Sequence, residues 1–159
     1  WTQREAGRLV AAYLCGVPVA SIEGTPVEVT PFNRRSGNLP ARTELRKTLT
    51  TAGTLPNGLS DREARVQAVI QMAGLVAEYR KFGEATLGFR LFRELDSQLQ
   101  LAERPLGPQE KEDLARFGVT TAYSLLANHD EAVDRVAQGL REGNGMPQLI
   151  AAIETAGSS

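Results

Sequence analysis

A chain of 159 residues, 42% apolar and 23% charged, suits one globular domain with a substantial core. Its formal net charge of -1 excludes a general attraction to nucleic acid or to an anionic membrane surface. The single cysteine, Cys15, excludes an internal disulfide, and no apolar run approaches the roughly 20 residues that span a bilayer.

The run from Thr2 to Leu14 predicts a first helix over about residues 2 to 15, stopped by Gly16 and Pro18. The chain starts directly on this helix, so either a cleaved leader or a longer parent chain is expected upstream. Residues 17 to 58 are richer in Pro, Gly, Thr and β-branched residues. Within them, Val19-Ala20-Ser21-Ile22 and Val27-Glu28-Val29-Thr30 read as short strands of a hairpin around Glu23-Gly24-Thr25-Pro26. Arg34-Arg35-Ser36-Gly37-Asn38 and Pro56-Asn57-Gly58 are turn or loop chemistry.

From residue 60 to residue 156 the pattern predicts a helical bundle. Ser60-Asp61-Arg62-Glu63 is a capping box, followed at helical spacing by Val66, Val69, Ile70, Ala73 and Ala77. Phe89, Phe92, Leu95 and Leu99 make a second amphipathic stripe. Pro108 suits the first turn of a further helix, with Leu114, Phe117, Thr121 and Leu125 expected on one side. A turn at Asn128-His129-Asp130 leads to Val133, Val136, Ala137 and Leu140. Gly143-Asn144-Gly145 breaks that helix, and Leu149, Ile150 and Ile153 belong to the last one. The expected fold is mainly α with a small β element after the first helix, without internal repeats.

The chemistry concentrates in Arg4-Glu5-Ala6-Gly7-Arg8. A zinc-hydrolase helix of the H-E-x-x-H type places two His at i and i+4 on one face, with Glu beside them as general base. Here both ligand positions are Arg, while the Glu is kept. A guanidinium keeps its proton at ordinary pH and has no lone pair to give a metal. Glu5 as a base would need a metal-activated water, so pairing with Arg8, Arg4 or another cation is the expected state.

Three blocks carry a resemblance. The first is Arg4 to Gly16. The second is Met72-Ala73-Gly74-Leu75-Val76-Ala77-Glu78-Tyr79 followed by Phe82-Gly83, and the third is Gly88 to Asp96. Together they resemble the peptidase domain of FtsH-type zinc metalloproteases, most of all the short, ATPase-less relatives of oxygenic phototrophs. The resemblance covers residues 2 to 156 as a single degenerate peptidase domain. It aligns Arg4 and Arg8 with the two zinc-binding His, Glu5 with the catalytic Glu, and Leu91 (or Phe92, with a slip of one) with the third ligand, an Asp.

What the resemblance implies is therefore a pseudoprotease: an FtsH-type helical fold with no functional catalytic residue, no metal and no cofactor. It would serve as a structural or interaction subunit, its partners being other protein subunits of a larger assembly, including a membrane-associated one. The phototroph branch points to a plastid, thylakoid-associated setting, for which composition offers no support. The alternatives are an ATP-independent or atypical zinc metallopeptidase, and an adaptor or regulator of an active FtsH-type protease.

The remaining residues argue for little else. His129 and Cys15 are the only His and Cys, and their separation is not that of a ligand pair. No Walker-type phosphate loop occurs, so there is no ATP site. Arg4 and Arg8 as an anion clamp weigh less than a solvated or internally paired helix face. Arg34, Arg35, Arg42, Arg46 and Lys47 form a basic stretch best read as a solvated loop. Cys15 is expected to be a small buried or half-buried residue. On the first helix Leu9, Val10 and Tyr13 are expected to be buried. Loss of Leu9 should then cost far more stability than loss of either Arg.

Overall fold

The computed structural model describes residues 2–17, 19–21, 28–29, 58–86 and 88–157. The fold is mainly helical. In chain order it comprises α1 (Thr2–Leu14), β1 (Val19–Ser21), β2 (Glu28–Val29), α2 (Asp61–Phe82), α3 (Gly88–Leu99), α4 (Pro108–Leu126), α5 (Asp130–Arg141) and α6 (Met146–Ala156). The two short strands pair antiparallel, with Val19 opposite Val29. The residues between them and the basic stretch Arg34, Arg35, Arg42, Arg46 and Lys47 lie outside the described residues.

The helix boundaries follow local chemistry. The Ser60 hydroxyl accepts from the Glu63 amide, and the Glu63 carboxylate accepts from the Ser60 amide at 2.8 Å, which completes the capping box opening α2. Pro108 occupies the first turn of α4, where its missing N–H leaves no bond unmade. The break between α5 and α6 falls on Gly143-Asn144-Gly145.

Two apolar clusters flank α2. The first joins Leu9 and Val10 of α1 to Ile70 and Ala73 of α2, Leu126 of α4, Val136 of α5 and Leu149 of α6. The second joins Ala64, Ala68 and Met72, on another side of α2, to Leu91, Leu95 and Leu99 of α3 and Ala115 of α4. Burial of these side chains, at about 1.5–3 kcal/mol for each large one, is the main stabilising contribution.

Two faces differ from the expected ones. On α3 the buried stripe is Leu91, Leu95, Gln98 and Leu99, while Phe89 and Phe92 point outward. On α4 the buried stripe is Ala115, Gly118, Ala122 and Leu126, one position round from the expected stripe. The reason is close approach: a Cβ on Gly118 would stand 2.5 Å from the Ala68 carbonyl oxygen. Small residues let α4 lie against α2, whereas Leu114 and Phe117 line a surface hollow of about 370 Å³. Arg104 spans Asp61 and Glu110 at its edge, tying the starts of α2 and α4 together. That ion pair holds the Glu110 carboxyl below its usual range.

Candidate functional site

Helix α1 is enclosed rather than half-exposed: every residue from Gln3 to Ala12 is buried. An amphipathic surface helix leaves one face to water. Here α2 packs on one side and α5 on another, so the charged residues of the motif are enclosed with the apolar ones.

The arginines and Glu5 form one ion cluster. Arg8 donates from a terminal guanidinium nitrogen to Glu5 Oε2 at 3.1 Å, and Arg4 Nε lies 3.5 Å from Glu5 Oε1. A terminal nitrogen of Arg4 is 4.0 Å from Glu78 Oε1 on α2. The exposed fractions are small: 1% for the Glu5 side chain, 3% for Arg8, 9% for Arg4 and 7% for Glu78. Two guanidiniums and two carboxylates are thus balanced inside the fold, where an unmatched charge would cost several kcal/mol. The cluster is neither a solvated face nor an open clamp for an outside anion.

Two glycines make room for it. A Cβ on Gly7 would meet Ala77 Cβ at 2.4 Å and the Ala73 carbonyl oxygen at 2.7 Å. A Cβ on Gly74 would stand 2.7 Å from Arg4 Cγ and 3.2 Å from Arg8 Cδ. The arginine stems therefore lie across the bare backbone of α2, and their charged ends reach Glu5 and Glu78.

Residues 67, 71, 74 and 78 recur at helical spacing, so Gln67 and Gln71 share a stripe of α2 with Gly74 and Glu78. Both glutamines are fully buried. Their amide atoms, Arg8 Nε and Glu78 Oε2 make no hydrogen bond. Sequence reasoning missed this polar row. The signal is three polar residues at i, i+4 and i+11, Gln67, Gln71 and Glu78, in the otherwise apolar run of residues 66–79.

Leu91 is placed elsewhere. It is 2% exposed in the second apolar cluster, with Ala64, Ala68 and Met72, while Phe92 is 43% exposed. The structure thus brings Arg4, Glu5 and Arg8 together and assigns Leu91 to a different packing group. Tyr13 is 37% exposed, contrary to expectation, because it stands in the last turn of α1 with its hydroxyl donating to Glu154 Oε1 at 2.9 Å. That hydrogen bond, acting with partial desolvation, raises the Tyr13 pKa. Cys15 is likewise exposed rather than buried, in the turn that follows α1, and desolvation alone pushes its thiol pKa up. The ring of His129 sits 2.8 Å, through Nδ1, from the Leu125 carbonyl oxygen at the entry to α5.

Among the described residues no group of three or more His, Cys, Asp or Glu side chains is arranged to hold a metal ion. Among them, too, no helix is long and apolar enough to cross a membrane. No protein-family model matches the chain, and no curated protein matches it.

Proposed function

We propose that the chain is a catalytically inactive relative of FtsH-type peptidases, retained as a structural or interaction subunit of a larger assembly. The observation that carries this reading is the state of Glu5. The residue aligned with the catalytic base is enclosed and hydrogen-bonded to Arg8, with Arg4 on its other oxygen. A general base needs a free lone pair within reach of the proton it takes. Glu5 instead holds two cations that cannot bind metal, so the helix serves packing rather than hydrolysis. On the resemblance to the phototroph branch alone, the proposal extends to a plastid, thylakoid-associated setting with other protein subunits as partners.

The test is metal content and proteolysis of the purified chain. Elemental analysis is expected to find zinc well below one per chain, and casein is expected to remain intact with or without ATP. One zinc per chain retained through mild chelation, accompanied by casein cleavage that a chelator abolishes, would overturn the reading.

A further inference from the structure

Buried polar atoms without partners are not spread evenly through the fold. Seven buried side-chain nitrogen and oxygen atoms among the described residues lack a hydrogen bond, and six of them belong to Gln67, Gln71, Glu78 and Arg8. Both glutamines are 0% exposed, and neither amide group makes any bond. At about 3.6 residues per turn, residues 67, 71, 74 and 78 fall within about 60° of the circumference of α2. This strip lies between two apolar sides of the helix. Val66, Ile70, Ala73 and Ala77 face the first cluster, and Ala64, Ala68, Met72 and Leu75 face the second. Arg8 meets the same strip, because its Cδ would stand 3.2 Å from a Cβ on Gly74 and Nε is the next atom along. The six atoms therefore belong to one strip of α2 and the arginine that crosses it.

Charge and hydrogen-bonding chemistry select what the strip binds. Arg4 and Arg8 balance Glu5 and Glu78, so a bound ion of either sign would leave a charge unmatched inside the fold. The free capacity is mixed: Arg8 Nε and the two amide nitrogens donate, whereas the two amide oxygens and Glu78 Oε2 accept. A ligand that serves both kinds must be neutral and must donate and accept at once. Spacing limits its size. Residues four apart on a helix have Cβ atoms about 5–6 Å from each other, the span of two hydrogen bonds of about 2.8 Å that meet at one oxygen. Buried groups of this kind are costly to leave unpaired, and ordered water is what ordinarily meets them.

We propose that this strip is an internal hydration site. It binds about two long-lived water molecules, which link the Gln67 and Gln71 amides to Arg8 Nε and Glu78 Oε2. The waters extend the ion cluster into a continuous polar network along α2 and hold both glutamines in single rotamers. The inference does not depend on the peptidase reading.

The test is nuclear magnetic resonance of the isotope-labelled 159-residue chain. The side-chain amide protons of Gln67 and Gln71 are expected to cross-relax with the water resonance, with the sign that tightly held water gives and surface water does not. Rotating-frame spectra separate this signal from proton exchange. Gln67→Met and Gln71→Met keep side-chain length and helix propensity while removing the amide. Each is expected to weaken the water signal at the remaining glutamine and to lower the melting temperature by about 2–12 °C. Glutamine amides without water cross-peaks in the parent chain would overturn the proposal, and this spectrum decides alone if a variant does not fold. Methionine variants as stable as the parent, or more stable, would also overturn it, because removing a dry, unpaired amide is a gain. So would cross-peaks to a small organic molecule in place of water.

Discussion

Replacing Glu5 by Gln tests what the motif helix is for. The substitution keeps the shape of the side chain and removes its charge. Both carboxylate oxygens face guanidiniums, Oε2 at 3.1 Å from Arg8 and Oε1 at 3.5 Å from Arg4. With the Glu5 side chain 1% exposed, water cannot replace the lost charge. Removing one partner of a buried ion pair costs about 3–5 kcal/mol, because the other charge stays buried without compensation. Glu78, at 4.0 Å from Arg4, offsets part of this for one guanidinium only. At about 2–4 °C per kcal/mol for a domain of this size, the melting temperature should fall by roughly 6–20 °C. The loss should rival that of Leu9→Ala, for which about 2–5 kcal/mol is usual at a buried leucine. The expectation that the ion pair is cheap to lose fails here because the pair is enclosed. Differential scanning calorimetry of the parent and Glu5→Gln chains decides the matter. A variant as stable as the parent, or more stable, would refute the argument, since stability gained by removing a charged group is the behaviour of a strained active site.

Two further outcomes are expected. Gly7→Ala should destabilise the fold although Ala is the better helix former by about 1 kcal/mol, because its Cβ would stand 2.4 Å from Ala77 Cβ and 2.7 Å from a backbone oxygen of α2. Overpacking of this kind typically costs about 1–3 kcal/mol, so a urea-denaturation midpoint equal to or above the parent's would contradict the close approach of α1 and α2. The Asp130 carboxyl is held below its usual range, first by its hydrogen bond from Arg80. A depressed folded-state pKa gives stability that is present above the unfolded value, about 3.9, and is lost as pH falls towards the folded value. Asp130→Asn should therefore flatten the acid limb of the stability–pH curve below about pH 4, with an effect near neutral pH of no more than about 1 kcal/mol because the pair is largely solvated. An unchanged acid limb would show that the pair does not persist in solution.

The starts and stops of the helices were legible in the sequence because short-range chemistry sets them. Ser60 and Glu63 cap α2 across three residues, Pro108 opens α4, and Gly143-Asn144-Gly145 separates α5 from α6 without reference to anything distant. The mainly helical class follows from the same signals. So does the pairing of Glu5 with Arg8, since residues three or four apart meet on a helix wherever it lies.

Tertiary packing decided which faces are inside. The apolar pattern of α3 allowed either Phe89–Phe92 or Leu91–Leu95 to face the core, and the position where α3 begins, opposite Leu75, selected the leucines. On α4 the larger residues were the obvious core candidates, but a carbonyl of α2 passes so near Gly118 that only the small-residue stripe fits. The enclosure of Arg4, Glu5 and Arg8, and the encounter of Arg4 with Glu78 across more than 70 positions of sequence, depend on the packing of α1 against other helices. Periodicity reports the neighbours a residue has on its own helix. Burial depends on the neighbours that other helices bring, and a carboxylate that costs little to remove from a solvated surface becomes structural once those helices exclude water.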